Sequence, residues 1–100
     1  MLHTVNKSPF ERNALESCLG FVRQGHVILL YEDGVYAALT GTAWEAKIKA
    51  ALANCKICVL TPDLEARGMK TNQVIAGIQP VDYTGFVDLV VENYPIQAWL

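Results

Sequence analysis

The chain has 100 residues, 52% of them hydrophobic and 18% charged, with a formal net charge of −2 at pH 7. That length corresponds to one domain, residues 1–100, and the charged fraction falls short of the about 25% of an ordinary globular protein, so polar cover is scarce and a buried subunit interface is the economical outlet. A slightly acidic chain with eight scattered Lys and Arg excludes the electrostatic footprint of a nucleic-acid or anionic-membrane binder, and no apolar run approaches the about 20 residues of a spanning helix.

The first residues, Met1-Leu2-His3-Thr4-Val5, lack the charged and apolar blocks of a signal peptide. Three cysteines are too few and too odd for a disulfide framework, which agrees with a reducing, cytoplasmic setting.

Leu2 to Val5 reads as a first strand. Ser8-Pro9-Phe10-Glu11 then has a Ser cap, Pro at the first helical position and Glu at the third, a capping-box pattern that predicts a helix from Pro9 to Gln24, with Gly25 just past its end. On the helical repeat, Cys18 falls at the middle of an apolar arc running from Phe10 to Leu19.

Val27-Ile28-Leu29-Leu30-Tyr31 is an unbroken apolar run of strand length, the pattern of a central strand buried on both faces. The acidic pair of Glu32-Asp33-Gly34 reads as the cap of a short helix over Val35–Leu39. A helix over Trp44–Ala53 follows, stopped at Asn54, and Cys55 to Leu60 makes the third strand.

Thr61-Pro62-Asp63 reads as the end of that strand, Leu64 to Arg67 as a short helix closed by Gly68, and Met69 to Gly77 shows no period. Ile78 to Val81 is a short fourth strand placed at an edge by Pro80, which removes a ladder donor. Asp82 caps a last helix over Tyr83–Glu92, and Gln97 to Leu100 is a fifth strand or an apolar tail whose Trp99-Leu100 should pack against something. Strands and helices alternate throughout. The fold class is therefore α/β: one three-layer α/β/α domain around a mostly parallel sheet of four to five strands.

Ligands of such sheets sit at the carboxyl ends of the strands, here Asn6-Lys7-Ser8, Glu32-Asp33-Gly34, Thr61-Pro62-Asp63 and Asp82-Tyr83. No glycine-rich phosphate loop is present, so no nucleotide cofactor is expected. Glu32 and Asp33 are explained as well by a helix dipole as by acid/base or ligand chemistry. Cys55-x-x-Cys58 has redox spacing but opens a strand, where positions i and i+3 face opposite ways, so the pair reads as structural. Zinc would need two further ligands, for which His3 and His26 are a poor source, and no metal is expected.

Leu2-His3-Thr4 with Ser8-Pro9-Phe10, Leu30 through Glu32-Asp33-Gly34-Val35-Tyr36-Ala37-Ala38, Asp63-Leu64 with Ala66-Arg67-Gly68, Val81-Asp82-Tyr83 with Phe86-Val87, and Gln97-Ala98-Trp99 together resemble the DsrH/TusB family over essentially the whole chain. The resemblance implies a small subunit of a cytoplasmic sulfur-relay complex. Its partners would be a DsrE/TusD-like and a DsrF/TusC-like subunit in a heterohexamer of two copies each, with a downstream sulfur-acceptor protein and no direct nucleic acid or membrane contact.

Such complexes serve 2-thiolation of the tRNA wobble uridine (TusB-like members) or dissimilatory sulfur oxidation (DsrH-like members). Cys18, the run Asn6 to Asn13 and the ending Gln97 to Leu100 are similar to the DsrH branch. In the family the principal sulfur-carrying cysteine belongs to the DsrE/TusD-like partner, leaving Cys18 as the candidate sulfur acceptor of this chain. Its place on the apolar arc points instead to a core thiol. Two other readings stand beside the resemblance: a stand-alone thiol protein using Cys55 and Cys58, and a small-ligand module using the Glu32-Asp33-Gly34 rim.

Overall fold

The computed structural model describes residues Met1–Leu100. Five strands, β1 (Leu2–Val5), β2 (Val27–Leu30), β3 (Lys56–Leu60), β4 (Gln79–Val81) and β5 (Ile96–Trp99), form one sheet in the order β4-β3-β2-β1-β5. Every neighbouring pair is parallel, with Leu2 beside Val27 and Ile96, and Ile28 beside Ile57. β1, with His3 and Thr4 among its residues, and the apolar run of β2 are buried at every position, the expected state of inner strands covered on both faces.

From β1 to β4 the chain steps in one direction across the sheet, and right-handed crossovers place all the intervening helices on one face. These are α1 (Ala14–Phe21), a 3-10 helix (Glu32–Ala38), α2 (Glu45–Ala51) and α3 (Thr61–Ala66). They bury Leu15, Cys18, Val35, Ile48 and Leu64 against Ile28, Leu30, Ile57 and Val59. The single long return, from β4 to β5 at the opposite edge, carries α4 (Tyr83–Glu92) over the other face, where Leu89 packs on Leu2, Val27, Leu29 and Cys58. The three-layer architecture read from the sequence is present, with two unequal helical layers.

Elements specified locally fall where the sequence places them. Asp82 caps α4, its Oδ1 accepting the Gly85 N–H at 2.8 Å. Pro80 lies in an edge strand, and the last residues before Leu100 form a strand beside β1.

Three boundaries differ. The helix expected from Pro9 starts at Ala14, because the Ser8 hydroxyl accepts the N–H of Phe10 two residues on, at 3.2 Å, and so closes a turn instead of opening a helix. The segment after β2 is a 3-10 helix that takes in Glu32 and Asp33 themselves, with Tyr31 in the capping position. Thr61-Pro62-Asp63 is the first turn of α3, with no intervening loop. The stretch without a period contains a 3-10 turn, Thr71–Gln73, and buries Ile75 against the first layer.

Gly34 is needed for proximity. A Cβ there would collide with the Val5 carbonyl oxygen, so only glycine lets the 3-10 helix sit on the end of β1.

Candidate functional site

At the carboxyl rim, where ligands of such sheets sit, Asp33, Asp63 and Arg67 are engaged with one another and with the Glu32 backbone. Asp63 Oδ2 accepts the Glu32 N–H at 2.6 Å, capping the 3-10 helix from another element. Arg67 donates to Asp33 Oδ1 through Nη2 at 2.9 Å and Nε at 3.0 Å, and its Nη1 reaches the Asp63 carbonyl at 3.1 Å. Glu32 adopts φ 47°, a left-handed conformation rare outside glycine, and the Asp63 carboxylate holds it there. Thus the Asp33 carboxylate is engaged by Arg67, and Glu32 enters the network through its backbone N–H. One rim acceptor, Asn6 Oδ1, is buried with no hydrogen-bond partner.

All three thiols are free and buried. Cys18, on α1, is 0% exposed; burial pushes its thiol up to about 12, with the neighbouring Cys55 acting in the same direction. Cys55 lies one residue before β3, its Sγ donating to the Ala51 carbonyl at 3.3 Å, and burial raises it as well. Cys58 is raised by burial against the opposing influence of Lys56.

Cys55 belongs to the first helical layer and Cys58 to the α4 layer, so the sheet itself separates the pair, as the strand alternation requires. The structure brings Cys18 and Cys55, not Cys55 and Cys58, into one layer. Cys18 is thus packed between α1 and the sheet with a raised thiol, without access or thiolate character in this chain taken alone.

A second polar constellation was not foreseen. His3, fully buried in β1, lies between His26 and Trp99. Trp99 Nε1 donates to His3 Nδ1 at 3.1 Å, and His3 Nε2 is 3.0 Å from His26 Nδ1, which also accepts the Arg23 N–H at 3.1 Å. Because an indole N–H only donates, the network assigns the His3 proton to Nε2 and the His26 proton to its own Nε2. Phe21 of α1 closes the cluster, 5.9 Å from His3 and 5.8 Å from Trp99 between ring centroids. The only sequence signal was two histidines at the openings of strands and a tryptophan near the end. The cluster holds two imidazoles, and no group of three or more His, Cys, Asp or Glu side chains that could hold a metal ion converges in this chain.

Similarity to known proteins agrees with this architecture. The family model described as "DsrH like protein" matches residues 7–95. The protein named TusB from Erwinia tasmaniensis is 43% identical over 100 residues, covering 99% of this chain and all of the relative. TusB from Pectobacterium parmentieri is 39% identical over 99 residues, with the same coverage. Among solved structures, the ychN protein of E. coli superposes with a TM-score of 0.79 at 15% identity, covering 97% of each chain, a likeness of fold. A protein of unknown function from Methanobacterium thermoautotrophicum gives 0.77 at 12% identity, covering 97% of this chain and 96% of that one. A five-stranded parallel sheet with its thiols withdrawn from the rim, matched along nearly its whole length by one family model and by full-length relatives, places the chain in the DsrH-like family.

Proposed function

We propose that this protein is the small accessory subunit of a cytoplasmic sulfur-relay complex that passes persulfide sulfur between proteins. It assembles with a DsrE/TusD-like and a DsrF/TusC-like subunit, two copies of each, and hands sulfur toward a downstream acceptor protein. The observation that carries the reading is the 37–43% identity to proteins named TusB over their full length. That likeness favours the 2-thiolation of tRNA wobble uridine over sulfur oxidation as the pathway served.

The chemistry of the chain supports an accessory role. Each cysteine is buried with a raised pKa, so a persulfide-bearing thiolate has to come from a partner. Cys18 in this reading packs α1 onto the sheet, and it accepts sulfur only where a partner displaces that helix. No helix is long and apolar enough to cross a membrane.

The test is co-expression with the TusD-like and TusC-like proteins of the same genome, the mass of the native complex, and the 2-thiouridine content of tRNA in a strain lacking this chain. A complex of all three chains with restored thiolation is the expected result. Assembly with unchanged thiolation would move the protein to the sulfur-oxidation arm. Failure to assemble at all would remove the relay reading.

A further inference from the structure

The two faces of the sheet are covered unequally. Four helical segments and fifteen buried residues occupy one face, while α4 alone, with five buried residues, serves the other. On that second face Ile96 and Ala98 of β5 point the same way as their register neighbours Leu2 and Thr4, yet both stay exposed. A parallel sheet is ordinarily covered on both faces, so the β5 side of this one lacks a layer. The outer edge of β5 is also unguarded: Ile96 to Trp99 contains no charge and no proline, whereas the opposite edge strand has Pro80.

The helix beside that gap is apolar well beyond what the sheet buries. Leu89, Phe86 and Val90 turn inward, but Tyr83, Val87 and Val91 form a second stripe, one turn apart, exposed by 60%, 60% and 75%. Asp88 and Glu92 run beside it, four residues apart, and neither takes part in an ion pair. Two like charges at this spacing repel, and Glu92 occupies the last turn, where the helix dipole favours a cation; no basic residue is there. From Thr71 to Leu100 the chain has Asp82, Asp88 and Glu92 and no Lys, Arg or His.

We infer that the α4 layer, with Val87 and Val91 at its centre and Asp88 and Glu92 along its border, is a docking surface for a different protein subunit whose own surface is apolar and bordered by Lys or Arg. A second copy of this chain is a poor occupant. Pairing about a two-fold axis through Val87 and Val91 would set Asp88 and Glu92 against their own copies, and Lys56, the cation that strand alternation turns toward this face, stands on β3 and not on α4. A basic partner completes the missing layer and relieves the Asp88–Glu92 repulsion together. The inference rests on the relay reading for the candidate partners, the TusD-like and TusC-like subunits.

The experiment co-expresses this chain with those two proteins and compares three variants. Val87→Gln with Val91→Gln removes the apolar stripe while favouring the helix, since Gln is a better helix former than Val. Glu92→Lys turns the repulsion with Asp88 into an attraction and puts a cation at the helix end. Lys47→Gln, in the other layer, is the control.

The double Gln variant is expected to weaken assembly by at least about tenfold without lowering the melting temperature of the isolated chain. Glu92→Lys should raise that melting temperature yet weaken assembly, opposite signs that a purely structural role does not produce. High salt should weaken the wild-type complex further. Assembly unchanged in both variants overturns the docking surface and leaves the relay reading standing. Sedimentation showing wild-type homodimers that Val87→Gln with Val91→Gln abolishes overturns the heterologous partner, and a chain that binds neither subunit removes the relay reading and this inference with it.

Discussion

Trp99 and His3, 96 residues apart, are joined by an indole N–H donated to imidazole Nδ1 at 3.1 Å, across the in-plane contact of β5 with β1. The bond fixes the tautomer of His3 and so makes the next link, from His3 Nε2 to His26 Nδ1, a donated hydrogen bond. Each of the three imidazole nitrogens inside the cluster has one compatible role. A proton added to His3 Nδ1 would face the Trp99 N–H, and one added to His26 Nδ1 would face both the His3 donor and the Arg23 amide.

The pH dependence follows. Burial lowers the pKa of His3, and the charge of His26 and the amino group of Met1 lower it further; His26 is lowered by desolvation, by that amino group and by Arg23. With both folded values below the ordinary 6.5, the unfolded chain takes up protons first as pH falls. This stabilisation is complete above about pH 6.5 and declines as pH drops through the folded values. Melting temperature should therefore fall between about pH 7.5 and about pH 5, less steeply in His3→Gln, which keeps a neutral donor and acceptor. A wild-type curve flat over that interval would show that the imidazoles do not hold β5 in this way.

The cysteines are expected to matter for stability and not for transfer. Cys18→Ala should cost on the order of 1 kcal/mol through lost packing, and Cys58→Ser about 1–3 kcal/mol, because a hydroxyl among Leu2, Val27 and Leu29 has no partner. Both variants should support sulfur transfer by the assembled complex, read by intact mass of the acceptor. Loss of transfer in a Cys18→Ala complex that still assembles would establish Cys18 as a sulfur carrier. At high pH the sign reverses from that of the histidines. Since the Cys18 thiol is raised from 9.0 to about 12, the unfolded chain ionises first and stability declines as pH rises above about 9.

Gly34→Ala tests the close approach to β1. The added methyl meets a backbone oxygen that cannot rotate away, and a loss of about 1–3 kcal/mol or more is expected in denaturant unfolding. A near-neutral result would mean that the 3-10 helix shifts off β1 without cost.

At the rim, Asp63→Ala removes the acceptor of the Glu32 N–H and should destabilise the chain by about 1–2 kcal/mol. Glu32→Gly relieves the positive φ and should be neutral to stabilising, although glycine adds unfolded-state entropy that offsets part of the gain. Chemical denaturation of the two variants separates the cap from the strain, and a destabilising Glu32→Gly would indicate that the carboxylate itself is used.

What the sequence determined by itself was whatever depends on neighbours along the chain. The run Val27–Leu30 could only be an inner strand, Pro80 belonged at an edge, Asp82 opened a helix ending at Glu92, and the odd spacing of Cys55 and Cys58 put the sheet between them. Each rests on a period or a cap whose physics is complete within a few residues. Tertiary structure decided where competing local choices were close in energy or where partners lie far apart. Ser8 could cap a helix or close a turn, and the packing of α1 on the sheet from Ala14 onward settled it for the turn. The Asp63 cap on Glu32, the Gly34 contact with Val5 and the Trp99–His3–His26 chain join residues that only the parallel register brings together, so no window of sequence contains them. The unequal cover of the two faces has the same origin, because strand order β4-β3-β2-β1-β5 sends one helix, and no other, back across the sheet.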